Sequence, residues 1–422
     1  MINLVLLFLF TLITCSYLFY LRKISRSNPV FYYLIVQLIM ASGTILLLDF
    51  DYYSDIFYAA IYFISLVMFI VGSFLAIQFF KIDKKYTFFF DSSLQIDSPL
   101  AIRLVVVFLL ISIAVVTLYY IVIGYNLTYS MLFGAGDLDF KTLRIGTYSG
   151  DTYYAPGYVN QFKNILLPSI LLALIATLFI KNKKFSYSIL MITSIPYLVY
   201  ILMGTGQRAP IIYVLVAFFF ALNLMFRLKI KWLFLFFLLI VLGFAFVSFQ
   251  SGRTDGVFNS LISIFTRLFF IEQYESLLGF RYVFENLEIS WFKQWVDALL
   301  GVLPNHEGSR LDHILYENIH KTDRGTAGLT LAASAYYNGS LINNFVLYFI
   351  LGFTYIGVFS RLLSGRKTIL RCVGYGGIIF ILSVFVLGTP VYLLNKGILG
   401  FIILLFIRKV VWSMQRKSLI QN

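Results

Sequence analysis

Apolar runs of about 17–25 residues recur along this chain, each long enough for one helix across a hydrocarbon core of roughly 30 Å. Backbone N–H and C=O groups find no water in lipid, so such runs fold as helices or as strands of a closed barrel. The period-2 alternation that a barrel wall requires is missing from them. The expected spans are 2–21, 30–48, 56–80, 102–124, 162–180, 186–203, 209–226, 232–250, 339–360, 372–388 and 391–407. The fold class read from this pattern is an all-α polytopic membrane protein. It has about eleven transmembrane helices and a large helical segment on the outer side.

The charges between the runs orient them. Arg22, Lys23 and Arg26 follow the first run, Asp49, Asp51 and Asp55 the second, and Lys81, Lys84 and Lys85 the third. Basic clusters return at Lys181, Lys183 and Lys184, at Arg227, Lys229 and Lys231, at Arg361, Arg366, Lys367 and Arg371, and at Arg408, Lys409, Arg416 and Lys417. Short loops rich in Lys and Arg stay in the cytoplasm. The N-terminus is therefore expected outside and the C-terminus inside. A charged fraction of 12% is about half that of a soluble domain. The net charge of +14 would suit nucleic-acid binding, but 21 of the 33 Lys and Arg fall in or beside the inward loops and the tail. Of the 19 acids only Asp83, Asp91 and Asp97 do. The excess is a topological signal with attraction to anionic lipid headgroups, and no nucleic-acid partner is expected.

Three stretches organise the chain: spans 1–8 in 1–250, with an outer loop at about 125–161; an outer amphipathic segment at 251–338; and spans 9–11 with a cytoplasmic tail in 339–422. Basic residues follow the first apolar run instead of preceding it, so no cleavable signal peptide is expected there. Cys15 and Cys372 imply no disulfide framework. The 125–161 loop is dense in Gly, Tyr and Asp, which favour turns. Its Tyr rings suit sugar stacking or an interfacial aromatic belt. In 251–338 charge recurs every few residues, so that stretch does not span. Leu261, Phe265, Leu268 and Phe269 cluster at helical spacing, as expected of amphipathic helices at the outer membrane boundary. Ser309 is expected to open a short helix with Asp312 as capping-box partner and Leu311, Ile314, Leu315 and Ile319 as its apolar stripe.

Candidate chemistry lies on the outer side, because the inner loops are short. "MGTGQRAP" at 203–210 sets Arg208 at the lip of the membrane, with Gly204 and Gly206 permitting close backbone approach. It reads either as an anion-facing turn or as a tight turn with a snorkelling Arg. Arg253 opens the large segment in "QSGRTDG", and Arg267, Arg281, Arg310 and Arg324 follow. Guanidinium grips phosphate bidentately, so a phosphate-bearing ligand at the outer leaflet would explain them. Ion pairing with Glu272, Glu275, Glu285 or Glu288 is the other reading for Arg267 and Arg281, whereas Arg208 and Arg253 have no nearby acid except Asp255. His306, His313 and His320 are spaced by seven, about 10.5 Å along a helix, which excludes one shared metal. His306, Glu307 and His320 are candidate general bases or ordinary loop residues. Lys396 lies inside an expected span and either faces a cavity or partner or snorkels outward. No phosphate loop or dinucleotide fingerprint is present, and neither metal nor cofactor is expected.

With these features the chain resembles the bacterial O-antigen polymerases of the Wzy type. The resemblance covers the whole length. It rests on about eleven spans, the turn "GTGQRAP", the "SGRTDG" opening of one large outer segment, and the return through "GTAGLTLAASAYYNGSLINNFVLYFILG". It implies a glycosyltransferase of the bacterial inner membrane that polymerises undecaprenyl-diphosphate-linked oligosaccharide repeat units at the periplasmic face. It carries functional expectation to Arg208, Arg253, Arg281, His306, Glu307 and Arg324, with His320 the nearest equivalent of the His that related ligases place near the return helix. Partners expected with it are a chain-length regulator and a flippase. An O-antigen ligase shares the layout, and a lipid-linked oligosaccharide flippase is the reading from a different class.

Reporter fusions after residues 85, 184, 230 and 366 should read cytoplasmic, and those near 52, 140, 206 and 300 should read periplasmic. A cytoplasmic signal at residue 300 would overturn the functional reading.

Overall fold

The computed structural model describes residues 1–133, 146, 154–207, 209–228, 231, 235, 238, 241–242, 256–303, 306, 308–322 and 326–420. In chain order the helices are α1 (Ile2–Leu21), α2 (Pro29–Leu47), α3 (Tyr53–Phe80), α4 (Ile82–Asp91), α5 (Pro99–Ile123) and α6 (Leu127–Phe133). Then come α7 (Gly157–Ile180), α8 (Lys184–Met203), α9 (Ala209–Phe226), α10 (Val257–Thr266), α11 (Glu272–Asn286) and α12 (Lys293–Leu300). The last are α13 (Leu311–His320), α14 (Leu331–Tyr337), α15 (Ser340–Leu363), α16 (Ile369–Ser383), α17 (Pro390–Asn395) and α18 (Ile398–Ile420). Among the described residues there is no β-strand, only an isolated bridge between Gln95 and Thr368.

Local chemistry accounts for several boundaries. Asn28 accepts from Val30 N–H at 3.0 Å, and Ser98 accepts from Ala101 N–H at 3.3 Å. A proline at the first position follows each of these caps, where its missing N–H costs nothing. Gly124 closes α5 in the left-handed region at φ 77°. Helix α13 starts at Leu311, two residues after the expected Ser309, whose hydroxyl still accepts from Leu311 N–H at 3.3 Å. Of its expected stripe, Leu311 and Leu315 are buried while Ile314 is exposed.

Eight described helices are long and apolar enough to cross a membrane: Ile2–Ile24, Pro29–Leu47, Tyr53–Phe80, Pro99–Ile123, Gly157–Ile180, Lys184–Met203, Ala209–Phe226 and Ser340–Leu363. Two expected spans take another form. The run at 372–388 folds as the 15-residue α16 and a short 3₁₀ turn at Phe385–Leu387. The run at 391–407 is broken at Lys396–Gly397 between α17 and α18. Gly397 has φ 86°, and a Cβ there would lie 2.1 Å from Ile165 Cγ1. A left-handed turn wedged that tightly requires glycine. The expected span at 232–250 lies almost wholly outside the described residues.

The chain forms two units, each assembled from separate stretches. The first comprises Met1–Phe89, Ser248–Gly365 and Ile381–Leu393, and the second Phe90–Val247, Arg366–Phe380 and Leu394–Asn422. In the first, α3 and α15 run side by side in the same direction. Asn344 donates to Ser65 Oγ at 3.3 Å near one end, Phe353 packs on Phe80 at 5.5 Å, and Lys85 donates to Ser360 Oγ at 2.8 Å at the other. The backbones nearly touch. A Cβ on Gly72 would lie 2.1 Å from the Phe349 carbonyl oxygen, and one on Gly352 would lie 2.2 Å from that of Phe69. Tyr33, Phe69 and Tyr355 fill the space beside this seam with rings 4.3–5.4 Å apart. Helix α1 packs antiparallel on α2, with Asn3 Nδ2 donating to the Leu48 carbonyl at 2.8 Å.

In the second unit Val116, Tyr119, Tyr120, Ile123, Val159, Leu167, Leu171, Ile201, Leu202 and Val214 form an apolar cluster of α5, α7, α8 and α9. At the start of α5, Asp97 accepts from Leu370 N–H at 2.8 Å and lies 3.9 Å from Arg408 Nε. Burial raises its carboxyl above the usual range.

Leucine at position 72 or 352 should push α3 and α15 apart and lower stability by about 1–3 kcal/mol or more. Thermal unfolding of detergent-purified protein reads this, with Val71→Leu on an exposed face as the neutral control.

Candidate functional site

Helices α10 to α14 form a cap on one end of α3 in the first unit. Arg281 of α11 grips Asp55 with both arms of its fork, Nε to Oδ1 at 2.8 Å and Nη2 to Oδ2 at 2.7 Å. Asp55 is fully buried in the first turn of α3, where the helix dipole favours a carboxylate. The same Oδ2 accepts from Asp49 N–H at 2.8 Å. The guanidinium lies 4.2 Å above the Tyr52 ring. The Asp55 carboxylate beside it holds the Arg281 pKa above its ordinary value. A second tie runs deeper. Tyr58 Oη bonds Ser276 Oγ at 2.9 Å and Thr330 Oγ1 at 3.0 Å, while its ring stacks on Phe280 at 4.5 Å. A third is centred on fully buried Asn338, which donates to Gln294 Oε1 at 2.9 Å and accepts from Trp295 N–H at 3.2 Å.

The surface at this end of α3 carries exposed aromatic rings and charges of both signs, Lys293, Arg310 and Lys321 among the bases. Tyr52, Tyr53, Trp291 and Phe292 are exposed beside Asp51, Glu285 and Glu288. Trp291 and Phe292 sit at φ 49° and 70°, an unusual conformation for bulky residues. Phe292 N–H holds the turn by donating to the Asn338 carbonyl at 2.9 Å. His320 ends α13, with Nε2 3.3 Å from Glu275 Oε1 and its ring 4.3 Å from Tyr316. His306 is exposed in the turn after α12. Burial raises the Asp312 carboxyl above the usual range.

The candidates read from sequence therefore separate. Arg281 pairs with Asp55, not with the glutamates closer in sequence, whereas Arg267 does pair with Glu272 at 2.7 Å. Glu275 and Arg281 stand six residues apart on α11, about 9 Å and a third of a turn. The His320 pair and the Arg281 pair are thus two sites. Arg208, Arg253, Glu307 and Arg324 lie outside the described residues. The turn that precedes Arg208 in sequence is held from α5 and α6: Gly204 O accepts from Leu127 N–H at 2.8 Å, and Tyr120 Oη donates to Ile201 O at 2.6 Å.

Lys396 belongs to the second unit. Its Nζ donates to Tyr213 Oη at 2.5 Å and lies 4.0 Å from that ring. Lys163 is not among the candidates that the sequence offers. It is fully buried on α7, with Nζ 5.4 Å from the Tyr119 ring. The available signal was an ionisable residue one position inside the expected 162–180 span. In the sequence Asp55 is one of three acids that set topology, with nothing local to mark it as an anchor.

No protein-family model, no curated protein and no solved structure matches this chain. Among the described residues no group of three or more His, Cys, Asp or Glu is placed to hold a metal. The chemistry on offer is an imidazole beside a carboxylate on a cap with exposed rings for stacking, and in the second unit the fully buried Lys163 and the half-buried Lys396.

Replacing Asp55 by Asn leaves the Arg281 guanidinium uncompensated and should lower stability by about 3 kcal/mol. The double variant Asp55→Leu/Arg281→Met should recover much of that loss. Thermal unfolding of wild type, Asp55→Leu, Arg281→Met and the double variant as a double-mutant cycle measures the coupling, with Asp55→Asn measured beside them.

Proposed function

We propose that this protein is a metal-independent glycosyltransferase of the bacterial inner membrane, of the Wzy polymerase type. It joins undecaprenyl-diphosphate-linked oligosaccharide repeat units at the periplasmic face. In this reading about eleven spans cross the membrane and residues 251–338 lie in the periplasm. The observation that carries it is the seat of the cap. Arg281, Ser276 and Glu285 engage the end of α3 that begins with Asp49, Asp51 and Asp55. Lys81, Lys84 and Lys85 follow the other end of that 28-residue helix, roughly 42 Å away. If the basic end is cytoplasmic, the cap faces outward, toward lipid-linked sugars, with exposed Tyr and Trp rings suited to stacking on them.

The reaction forms a C–O bond between an acceptor sugar hydroxyl and the anomeric carbon of the growing glycan, and breaks the bond from that carbon to undecaprenyl diphosphate. The hydroxyl proton passes to a base drawn from His306, Glu307 and His320. The described geometry favours His320, because Glu275 orients its imidazole. Arg208 and Arg253, with Arg324 and Lys396, are assigned to the charge that develops on the leaving diphosphate. Arg281, held by Asp55, is assigned to positioning the cap. A chain-length regulator and a flippase are the expected protein partners.

Arg208→Ala or Arg253→Ala should slow polymerisation by about 10²–10³, and Arg→Lys should rescue poorly because the fork is lost. Long chains should disappear from the lipopolysaccharide ladder while an immunoblot shows normal protein abundance. A normal ladder from both Ala variants removes these arginines from the mechanism.

A further inference from the structure

Lys163 is a fully buried cation inside a helix long and apolar enough to cross a membrane. Val159 and Leu167, four residues to either side, belong to the apolar cluster with Tyr119 and Ile123. No carboxylate pairs with it among the described residues. The second unit has two described acids, Asp91 and Asp97, and both lie toward the other end of α5, beside Arg227 and Arg408. One ring face recovers only part of what an ammonium loses on leaving water. An intramembrane cation so placed marks a functional site unless a counter-charge is at hand.

The backbone around it is built differently from the rest of the span. Residues Gln161–Leu166 are π-helical, a form that recurs at functional sites. Pro168 has no N–H to give the Asn164 carbonyl, which interrupts the α-helical ladder at this point. Gln161 Oε1 and Asn164 Oδ1 on the same stretch are buried without a hydrogen-bond partner. Gln161 Nε2 donates to the Leu394 carbonyl at 2.9 Å, and Ile165 fills the space beside Gly397 and Gly400. The widened stretch therefore packs on the break between α17 and α18 that carries Lys396. Next to Tyr119, the Tyr120 ring lines a groove of ≈ 190 Å³ with Thr117, Ile121, Tyr197 and Tyr200. Ile121 is 70% exposed, so the groove opens at the surface of this unit.

We propose that Lys163 is the anion-binding group of an intramembrane site that takes the phosphate of a membrane lipid, with the polar π-helical stretch beside it. The ligand is either an isoprenyl diphosphate or a glycerophospholipid headgroup, since both carry a phosphate oxyanion on a lipid anchor. The isoprenyl case deepens the polymerase reading by adding a subsite to it. The glycerophospholipid case stands without that reading.

The test uses purified full-length protein in neutral detergent, with thermal midpoint and direct binding measured against geranylgeranyl diphosphate and against phosphatidylglycerol. One of the two should raise the wild-type midpoint. Lys163→Met should bind that ligand about 10–100-fold more weakly, as loss of one charge-assisted contact implies. Without ligand the Met variant should be at least as stable as wild type, because a buried charge has been removed. Lys163→Arg should retain binding, and Lys163→Gln serves as a second neutral variant should the Met protein fold poorly. Loss confined to geranylgeranyl diphosphate supports the isoprenyl site, and loss confined to phosphatidylglycerol supports the headgroup site. Unchanged binding of both ligands by a folded Met or Gln variant overturns the proposal. So does a Met variant that is markedly less stable yet binds as wild type, which would make Lys163 a packing residue held by Tyr119.

Discussion

The close approach of α3 and α15 at Gly72 and Gly352 is the contact on which the first unit depends. Helices in lipid gain little from burying apolar surface against one another, so association rests on van der Waals contact and on polar groups that find partners. Removing two side chains lets the backbones come within touching distance. The polar ties then follow along the seam, from Asn344 and Ser65 to Lys85 and Ser360. Because both helices begin at the same end, that end offers two adjacent helix starts, and the cap sits there. Asp55 in the first turn of α3 and Asn338 just before α15 are the two anchors.

Much of this was legible in the sequence, and the failures have physical causes. Apolar runs located the eight long helices to within a few residues, because the bilayer demands a minimum length and a closed backbone ladder. Runs at 372–388 and 391–407 were apolar enough but did not fold as single spans. Hydropathy is blind to a glycine wedged against Ile165 at φ 86°. The amphipathic character of 251–338 was legible, yet its attachment was not. Asp55 and Arg281 lie 226 positions apart, and nearer glutamates competed for the same arginine on paper. Lys163 is no candidate from sequence although it lies one position inside an expected span, since hydropathy does not distinguish a lysine that snorkels from one buried beside Tyr119.

The proposed chemistry divides its labour in a way that suits a membrane enzyme. Sugars are large and polar and need a wet platform with ring faces and oriented carboxyl and imidazole groups. Lipid phosphate is anionic and tethered at the membrane boundary and needs cations held at that depth. The cap in the first unit offers exposed ring faces and the Glu275–His320 pair, and the second unit offers Lys163 and Lys396 as cations among apolar helices. Arginine, permanently charged and forked, is the residue expected where the diphosphate departs, and lysine on a flexible stem suits a site that a lipid headgroup enters and leaves.

The most direct measurement is polymerisation by the purified protein alone. Reconstituted in proteoliposomes with an undecaprenyl-diphosphate-linked repeat unit, with EDTA present and no nucleotide added, it should build a ladder of lipid-linked chains and release undecaprenyl diphosphate in step with chain growth. A protein that instead moves the lipid-linked unit across the bilayer without lengthening it, or that lengthens it only when a divalent ion is restored, would contradict the account.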